Sequence, residues 1–409
     1  MPLFKSAFNY IFRIGRLIVI DADGRSHEFG DGTEPHSTLR LHDRALHRKL
    51  LVNPHLYVGE GYMDGTITFE DSTLYDFLDL VGRNVSSLNR KFGGPVSNWL
   101  TAAARRTQQH NPLARARSNV AHHYDLNGTL YDLFLDKDRQ YSCAYFASGN
   151  DTLEVAQDKK KRHIAAKLLL EPGQSVLDIG SGWGGLGLYL AEATGADVTG
   201  LTLSVEQHNI SNQRARKRKL DKRVRFHMRD FREETGTYDR IVSVGMFEHV
   251  GAKHYAEFFD KARELLDDNG VFLLHSIGRM EPPGTTNPWL RKYIFPGGYS
   301  PALSETIAAI ERAGLWITDV EILRGHYAET LREWNRRFQK NRDKVREIYD
   351  ERFCRMWEFY LQCCEMSFRY LHQMVFQIQI TKHQDAVPIT RDYVTDWERA
   401  HDGAGNLAN

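Results

Sequence analysis

The segment "QYSCAYF" (140–146) places two phenols, a hydroxyl and a thiol within five positions, as Tyr141, Ser142, Cys143 and Tyr145. Such a group is costly on a surface loop and unusual in a core strand. Its thiol admits several roles: nucleophile, metal ligand, packing residue or wall of a binding pocket. A second candidate is "VLDIGSGWGG" (176–185), a strand, a glycine-rich turn and a helix start, in which Gly180, Gly182 and Gly185 keep the GxGxxG spacing of dinucleotide folds. Asp178 argues against a pyrophosphate, because a carboxylate at the strand tip opposes phosphate. A sulfonium-bearing amino-acid ligand suits that acid, and glycines let the backbone come close to it, so S-adenosylmethionine (SAM) is the cofactor the loop predicts.

Further along, "GLTLSVEQ" (200–207) offers Thr202 and Gln207 where methyltransferases of the general type use an acid to grip the ribose. In "MRDF" (228–231), Asp230 and Phe231 stand where an adenine is met by a carboxylate and an apolar ring; a helix cap and a core Phe explain them equally. Glu248 and His249 directly follow a strand, at the carboxyl-end crevice where ligands of open α/β sheets bind. His275 lies within "LLHSIG". Capping for Glu248 and a satisfied core position for His275 are the plainer roles.

These residues need a scaffold. From about 118 the chain alternates strand and helix patterns, the signature of a wound α/β sheet. "SVLDIG", "ADVTGLTLS", "DRIVSVGMF", "GVFLLHSIG", "LWITDVEIL" and "VFQIQITK" belong to a sheet of about seven strands. The expected fold is a seven-stranded class I SAM-dependent methyltransferase domain of Rossmann-like type, preceded by a smaller α+β N-terminal domain. The domains are expected at 1–110, with a linker to about 117, at 118–395, and as a tail at 396–409. Within 1–110, "RLIVIDADGRSHEFG" predicts two strands turning at Asp23-Gly24. "LYVGEGYMDGTITFE" predicts a second pair turning at Asp64-Gly65. "LFKSAFNYIFR" places Phe4, Phe8, Ile11 and Phe12 on one helical face, either for a membrane surface or for the N-terminal sheet.

The 409 residues carry 54 Lys+Arg against 53 Asp+Glu, a net charge of +1, which speaks against a general nucleic-acid binder. Basic clusters at 104–117, 159–163 ("KKKRH") and 214–223 are either solvated helix faces or a surface for anionic headgroups. Cys143, Cys354, Cys363 and Cys364 form no CxxC pair and no zinc spacing, so no metal site is expected. With no signal-peptide pattern and no apolar run long enough to span a bilayer, the expected compartment is the cytoplasm.

Taken in order, "QYSCAYF", "LDIGSGWGG", "GLTLSVEQ", "MFEHVG" and "HSIG" resemble the cyclopropane-fatty-acyl-phospholipid synthases. "WLRKYIFPGG" (289–298), "YAETLREW" (327–334) and "GEGYMDG" (59–65) extend the resemblance to essentially the whole chain. It is closer to the full-length phospholipid branch than to the mycolic-acid cyclopropane synthases, which lack the N-terminal domain. Gly61 departs from the serine common at that position. The resemblance implies transfer of a methylene group from SAM to a cis double bond of a phospholipid acyl chain. It implies that Tyr141, Ser142, the loop with Asp178, Gly180, Gly182 and Gly184, Thr202 and Gln207 contact SAM. It further implies a bicarbonate ion held by Cys143, Glu248, His275, Tyr327 and the backbone of Ile277, and matches Cys364 to a cysteine sometimes proposed as catalytic; Cys363 beside it blurs that match. A homodimer in peripheral contact with the inner face of the membrane completes the expectation.

The chemistry asks for such a set. Methyl transfer to an isolated alkene leaves a carbocation, and ring closure needs a base that does not capture it. A thiolate is too nucleophilic; a fixed bicarbonate is not. Cys143 then becomes one wall of an anion pocket, with a buried structural thiol as the plainer alternative. Aromatic side chains at Tyr145, Phe146, Trp183, Phe247, Tyr293, Phe295 and Tyr360 can stabilise cations or simply fill the core. His122 and His123 are candidates for the site entrance. The competing readings are a hydride shift giving a branched lipid, a methyltransferase for a small polar molecule or RNA, and a non-catalytic lipid-binding protein.

Overall fold

The computed structural model describes residues 2–88 and 128–402. His122, His123, the basic stretch 104–117 and the expected linker lie outside them. The chain forms two compact units: one of 1–107, 284–296 and 328–373, the other of 108–283, 297–327 and 374–409.

In the first unit, strands β1 (Arg16–Ile20), β2 (Ser26–Gly30), β3 (His36–Leu41) and β4 (Ile67–Glu70) form a sheet in the order β2-β1-β3-β4. β1 and β2 are antiparallel around the Asp23-Gly24 turn, as their alternation predicts. The second expected hairpin is not there. Residues Pro54–Met63 are a helix, begun at Pro54 in its first turn, and only β4 follows it. Gly59 and Gly61, read as strand glycines, are buried in that helix. A Cβ on Gly59 would meet the Trp289 and Phe359 rings at 2.5 and 2.8 Å.

The helix Pro2–Ile11 packs inward. Phe4 and Phe12 are buried, and Phe8 lies between Phe4, Phe12 and Phe29 of β2 at ring distances of 4.1, 5.5 and 5.3 Å. Its apolar face belongs to the core and is not presented to a membrane. Residues 284–296 and 328–373, expected in the second domain, belong to this unit for a physical reason: their polar groups are satisfied here. Tyr62 donates to Glu358 (2.9 Å), Tyr75 to Glu365 (3.0 Å), Tyr370 to Asp79, and Lys292 to Glu60 (2.6 Å).

The second unit holds β5 (Ser175–Ile179), β6 (Asp197–Thr202), β7 (Val224–Met228), β8 (Tyr238–Val244), β9 (Leu266–Arg279), β10 (Trp316–Leu323) and β11 (Gln373–Thr381). They make one seven-stranded sheet in the order β10-β11-β9-β8-β5-β6-β7. β5 to β9 pair in parallel, and β10 runs antiparallel to β11. Successive residues point to opposite faces, so Val176, Val242 and Leu273 enter one core while Leu177, Ile241 and Leu274 enter the other. The strand order turns back at β5, and this switch point opens a crevice at the carboxyl ends. Among the described residues no helix is long and apolar enough to cross a membrane.

The basic cluster 159–163 is not a solvated face. It lies in the helix Leu153–Leu168, where Lys160 and Lys161 are 0% and 5% exposed and His163 4%. Lys161 pairs with Asp138 and Asp158, and His163 with Glu321 and Glu398. Carboxylates, all but Asp158 distant in sequence, rather than water or headgroups, meet these cations. Along 214–223, by contrast, Arg216, Lys217, Lys219, Lys222 and Arg223 are exposed.

Candidate active site

The carboxyl ends of β5, β6, β7 and β8 surround one cavity, closed by the 139–142 segment. β5 delivers Asp178 and then Gly180 and Gly182. Gly180 has φ +87°, and a Cβ there would meet the Met246 side chain at 2.7 Å. Gly182 has φ +55°, and a Cβ there would meet nothing within 4 Å, which leaves an open cradle at the loop's crest. The helix Gly185–Thr194 starts behind the loop. Gly184, expected in the cofactor set, does not line the cavity. A Cβ on it would instead strike Phe226 and Ser211 at 2.6 and 2.8 Å, so its glycine serves packing.

β6 ends in Thr202, whose hydroxyl donates to Gln207 Oε1 at 2.8 Å. That bond orients the Gln207 amide and leaves its NH2 to donate to a ligand. Asp230 and Phe231 follow β7, a strand whose sequence gave no clear signal. Both line the cavity, with Asp230 held by Arg232 in two bonds of 2.8 Å. Tyr141 and Ser142 complete the wall. Tyr141 packs edge-on against Tyr131 at 5.4 Å, and Tyr131 lies 4.8 Å from Trp183. His249, expected at the carboxyl-end crevice, does line the cavity, whereas sequence reasoning missed Gln140, Arg229, Arg232 and His254 as lining residues. Position beside a motif was the only available signal for them.

Asp178 is the electrostatic centre. It is buried, its Oδ2 has no hydrogen-bond partner, and burial, opposed by the charge of Lys160, lifts its pKa to about 7. An orphaned buried carboxylate beside a glycine cradle fits an ammonium ligand such as the amino-acid end of SAM. Burial lowers the pKa of His249 to about 4, so this cavity residue stays neutral and does not oppose a sulfonium.

The second candidate group lies just behind. Met246 and His249 line the cavity, and Glu248 sits between them in a single turn of 3₁₀ helix. Its Oε1 accepts from the Ile277 amide at 2.7 Å; its Oε2 is buried without a partner. Burial raises this carboxyl to about 7. The Ile277 amide, expected to face a bicarbonate, is therefore committed to Glu248. His275 and Ile277 share one face of β9. His275 Nδ1 meets the Gln377 side-chain amide at 3.2 Å; with the amide nitrogen as donor, the ring carries its proton on Nε2. Burial holds this imidazole neutral, with a pKa of about 3. Cys143 is buried with its thiol donating to Ala144 O at 3.3 Å, and Tyr327 is buried at the start of the helix His326–Lys340. Cys364 belongs to the first unit, in the helix Glu351–Tyr370. Burial and the adjacent Cys363 push its thiol well above the ordinary range, away from a thiolate.

A seven-stranded sheet of this order, a glycine cradle and an orphaned acid at the switch point define a SAM-dependent methyltransferase. The family model for mycolic acid cyclopropane synthetase matches residues 111–378, and one for a domain of unknown function (DUF7884) matches residues 3–91. The chain belongs to the mycolic acid cyclopropane synthetase family. It is 36% identical over 352 residues to the cyclopropane-fatty-acyl-phospholipid synthase of Escherichia coli K12, covering 86% of this chain and 89% of that one. It is 34% identical to the tuberculostearic acid methyltransferase UfaA1 of Mycobacterium tuberculosis, covering 88% and 86%. Among solved structures, the mycolic acid cyclopropane synthase CmaA1 with SAH and CTAB superimposes with a TM-score of 0.62 at 33% identity, over 66% of this chain and 99% of that one.

Proposed function

We propose that this enzyme converts a cis double bond of a phospholipid acyl chain into a cyclopropane ring, with SAM as the one-carbon donor. The observation that carries the reading is Glu248 Oε2: a buried, unpartnered carboxyl oxygen with its pKa near neutrality, directly behind the cofactor cavity. Bound SAM supplies an electrophilic methyl group on a positively charged sulfur. Asp178 and Gln207 orient it, while Tyr141, Trp183 and Phe231 keep water from the reacting carbon. The alkene π electrons form the new C–C bond as the sulfur–carbon bond breaks, leaving a cation on the neighbouring carbon. Loss of a proton from the added methyl then closes the ring with that C–H electron pair, and Glu248 Oε2 is the proton's final station. Where bicarbonate takes part, Glu248 Oε2 and the Nε2–H of His275 are the groups that would hold it, as a base too weakly nucleophilic to trap the cation. The family resemblance adds Cys143 and Tyr327 to the groups that would hold it, while the Ile277 amide acts through Glu248.

The substrate lies in a bilayer, and the exposed cations between Arg216 and Arg223 suit anionic headgroups at the inner face of the membrane. A cytoplasmic homodimer in peripheral contact belongs to the same proposal. One relative is named for a methyltransferase product, which favours a second outcome: proton loss elsewhere, giving a branched chain. Incubation with SAM and vesicles of unsaturated phospholipid, with product read by NMR, separates ring from branch. Carbon dioxide-free buffer is expected to slow ring formation at least about tenfold, with recovery on adding bicarbonate. An unchanged rate would remove the anion from the mechanism, and absence of any methylated lipid would sink the assignment.

A further inference from the structure

The segment 140–146 has no regular secondary structure, yet it must hold Tyr141 and Ser142 against the cofactor. The helix Leu153–Leu168 holds it. Gln157 Nε2 donates to the Gln140 and Ser142 carbonyls at 3.2 and 3.0 Å. Three residues on, and so on the same helical face, Lys160 Nζ donates to Gln140 Oε1 at 2.7 Å and to Ser142 Oγ at 2.9 Å. Gln140 and Ser142 both line the cavity.

Lys160 is 0% exposed. Its neighbours Lys159, Lys161 and Lys167 each reach a carboxylate within ion-pair distance, whereas Lys160, among the described residues, makes no ion pair. A buried ammonium without one is expensive. Two hydrogen bonds to neutral groups do not account for a cation there, since a neutral donor would make them too. Burial lowers its pKa to about 8, with Asp136 and Asp138 opposing that shift, so the ammonium stays mostly charged at neutral pH, and its charge bears on Asp178 and His275.

We infer that Lys160 is a positioning residue for methyl transfer, fixing Gln140 and Ser142 against the cofactor while its charge favours the carboxylate form of Asp178 that receives the cofactor's ammonium. The inference rests on the SAM-dependent reading above. Asp178 binds an ammonium only when deprotonated, so SAM affinity is present above its pKa and is lost as pH falls through it. Removing the Lys160 charge moves that acid limb upward.

The test is calorimetric titration with SAM across pH for the wild type, Lys160→Met and Lys160→Arg, with thermal melts as a check on folding. In Lys160→Met the acid limb is expected to move up by about one pH unit, which lowers affinity about fivefold at pH 7 and about tenfold well below it. In Lys160→Arg the limb is expected to stay in place, with KM for SAM raised severalfold and kcat retained, because the fork cannot replace both short bonds. A folded Lys160→Met protein with an unmoved limb overturns the proposal. If Lys160→Met does not fold, Lys160→Arg decides, and an unchanged KM overturns it. Failure of the wild type to bind SAM overturns the functional reading and this inference together.

Discussion

Glu248→Gln separates the two tasks of one carboxyl. The amide oxygen of glutamine can still accept from Ile277 at the 2.7 Å position, so the turn between β8 and the cavity is kept. The unpartnered Oε2 becomes an NH2 that cannot take a proton. Loss of a positioned proton acceptor is worth about 10²–10⁴ in rate, so kcat should fall by that factor. SAM affinity should change little, because Glu248 does not line the cofactor cavity.

The same substitution should stabilise the fold, and the sign follows from linkage. The folded carboxyl has its pKa raised from 4.5 to about 7, so between those values the folded state holds a proton that the unfolded state has released. Stability therefore falls as pH rises through that window, and above it the buried charge costs about 3 kcal/mol, from ~1.4 kcal/mol per pH unit. Glutamine never ionises, so this cost is absent. Melts of wild type and Glu248→Gln should nearly coincide at about pH 4.5 and separate by about pH 8, the variant being the more stable. With SAM kept saturating so that Asp178 does not limit binding, product formation on vesicles across the same range should rise through neutrality in the wild type and lose that limb in the variant. A variant that keeps its rate within about threefold, or whose melts stay parallel to wild type at every pH, would refute the assignment of Glu248 as the buried proton acceptor.

Gly185→Ala should lower stability by about 1–3 kcal/mol and raise KM for SAM, since a Cβ there collides with the Gln140 and Asp138 side chains. Those groups are pinned by Lys160, Lys161 and Arg214, and a melt with SAM kinetics checks it. Cys364→Ser should leave kcat within about threefold, because a thiol pushed up by burial supplies no nucleophile at neutral pH. A loss beyond about tenfold in a stably folded variant would restore a catalytic role to that cysteine.

How far the sequence reaches is decided by where each residue's partners lie. The 178–185 loop was legible because its partners are local: a strand end, glycines at positive φ and a helix start within ten residues, which no other arrangement of that pattern satisfies as well. Six of the seven strands declared themselves through apolar runs. β7 did not, because "VRFHM" alternates buried and exposed residues on an edge strand and carries Arg225 and His227. The helix Pro54–Met63 reads as a strand because Tyr and Val favour extended chain; packing of Gly59 against Trp289 and Phe359, far along the sequence, overrides that preference.

Charge misled most. In "KKKRH" nothing local separates a solvated lysine from a buried one. What buries Lys160 is Gln140 and Ser142, 20 and 18 residues earlier, and what neutralises His163 are Glu321 and Glu398, 158 and 235 residues later. The commitment of the Ile277 amide to Glu248 spans 29 residues and two strands. In this chain most residues that line the cavity lie within motifs, whereas those that act on Asp178 and Glu248 come from elsewhere in the fold, Lys160 from a helix and Ile277 from β9. A single sequence therefore displays where the cavity lies more readily than what tunes the acids around it.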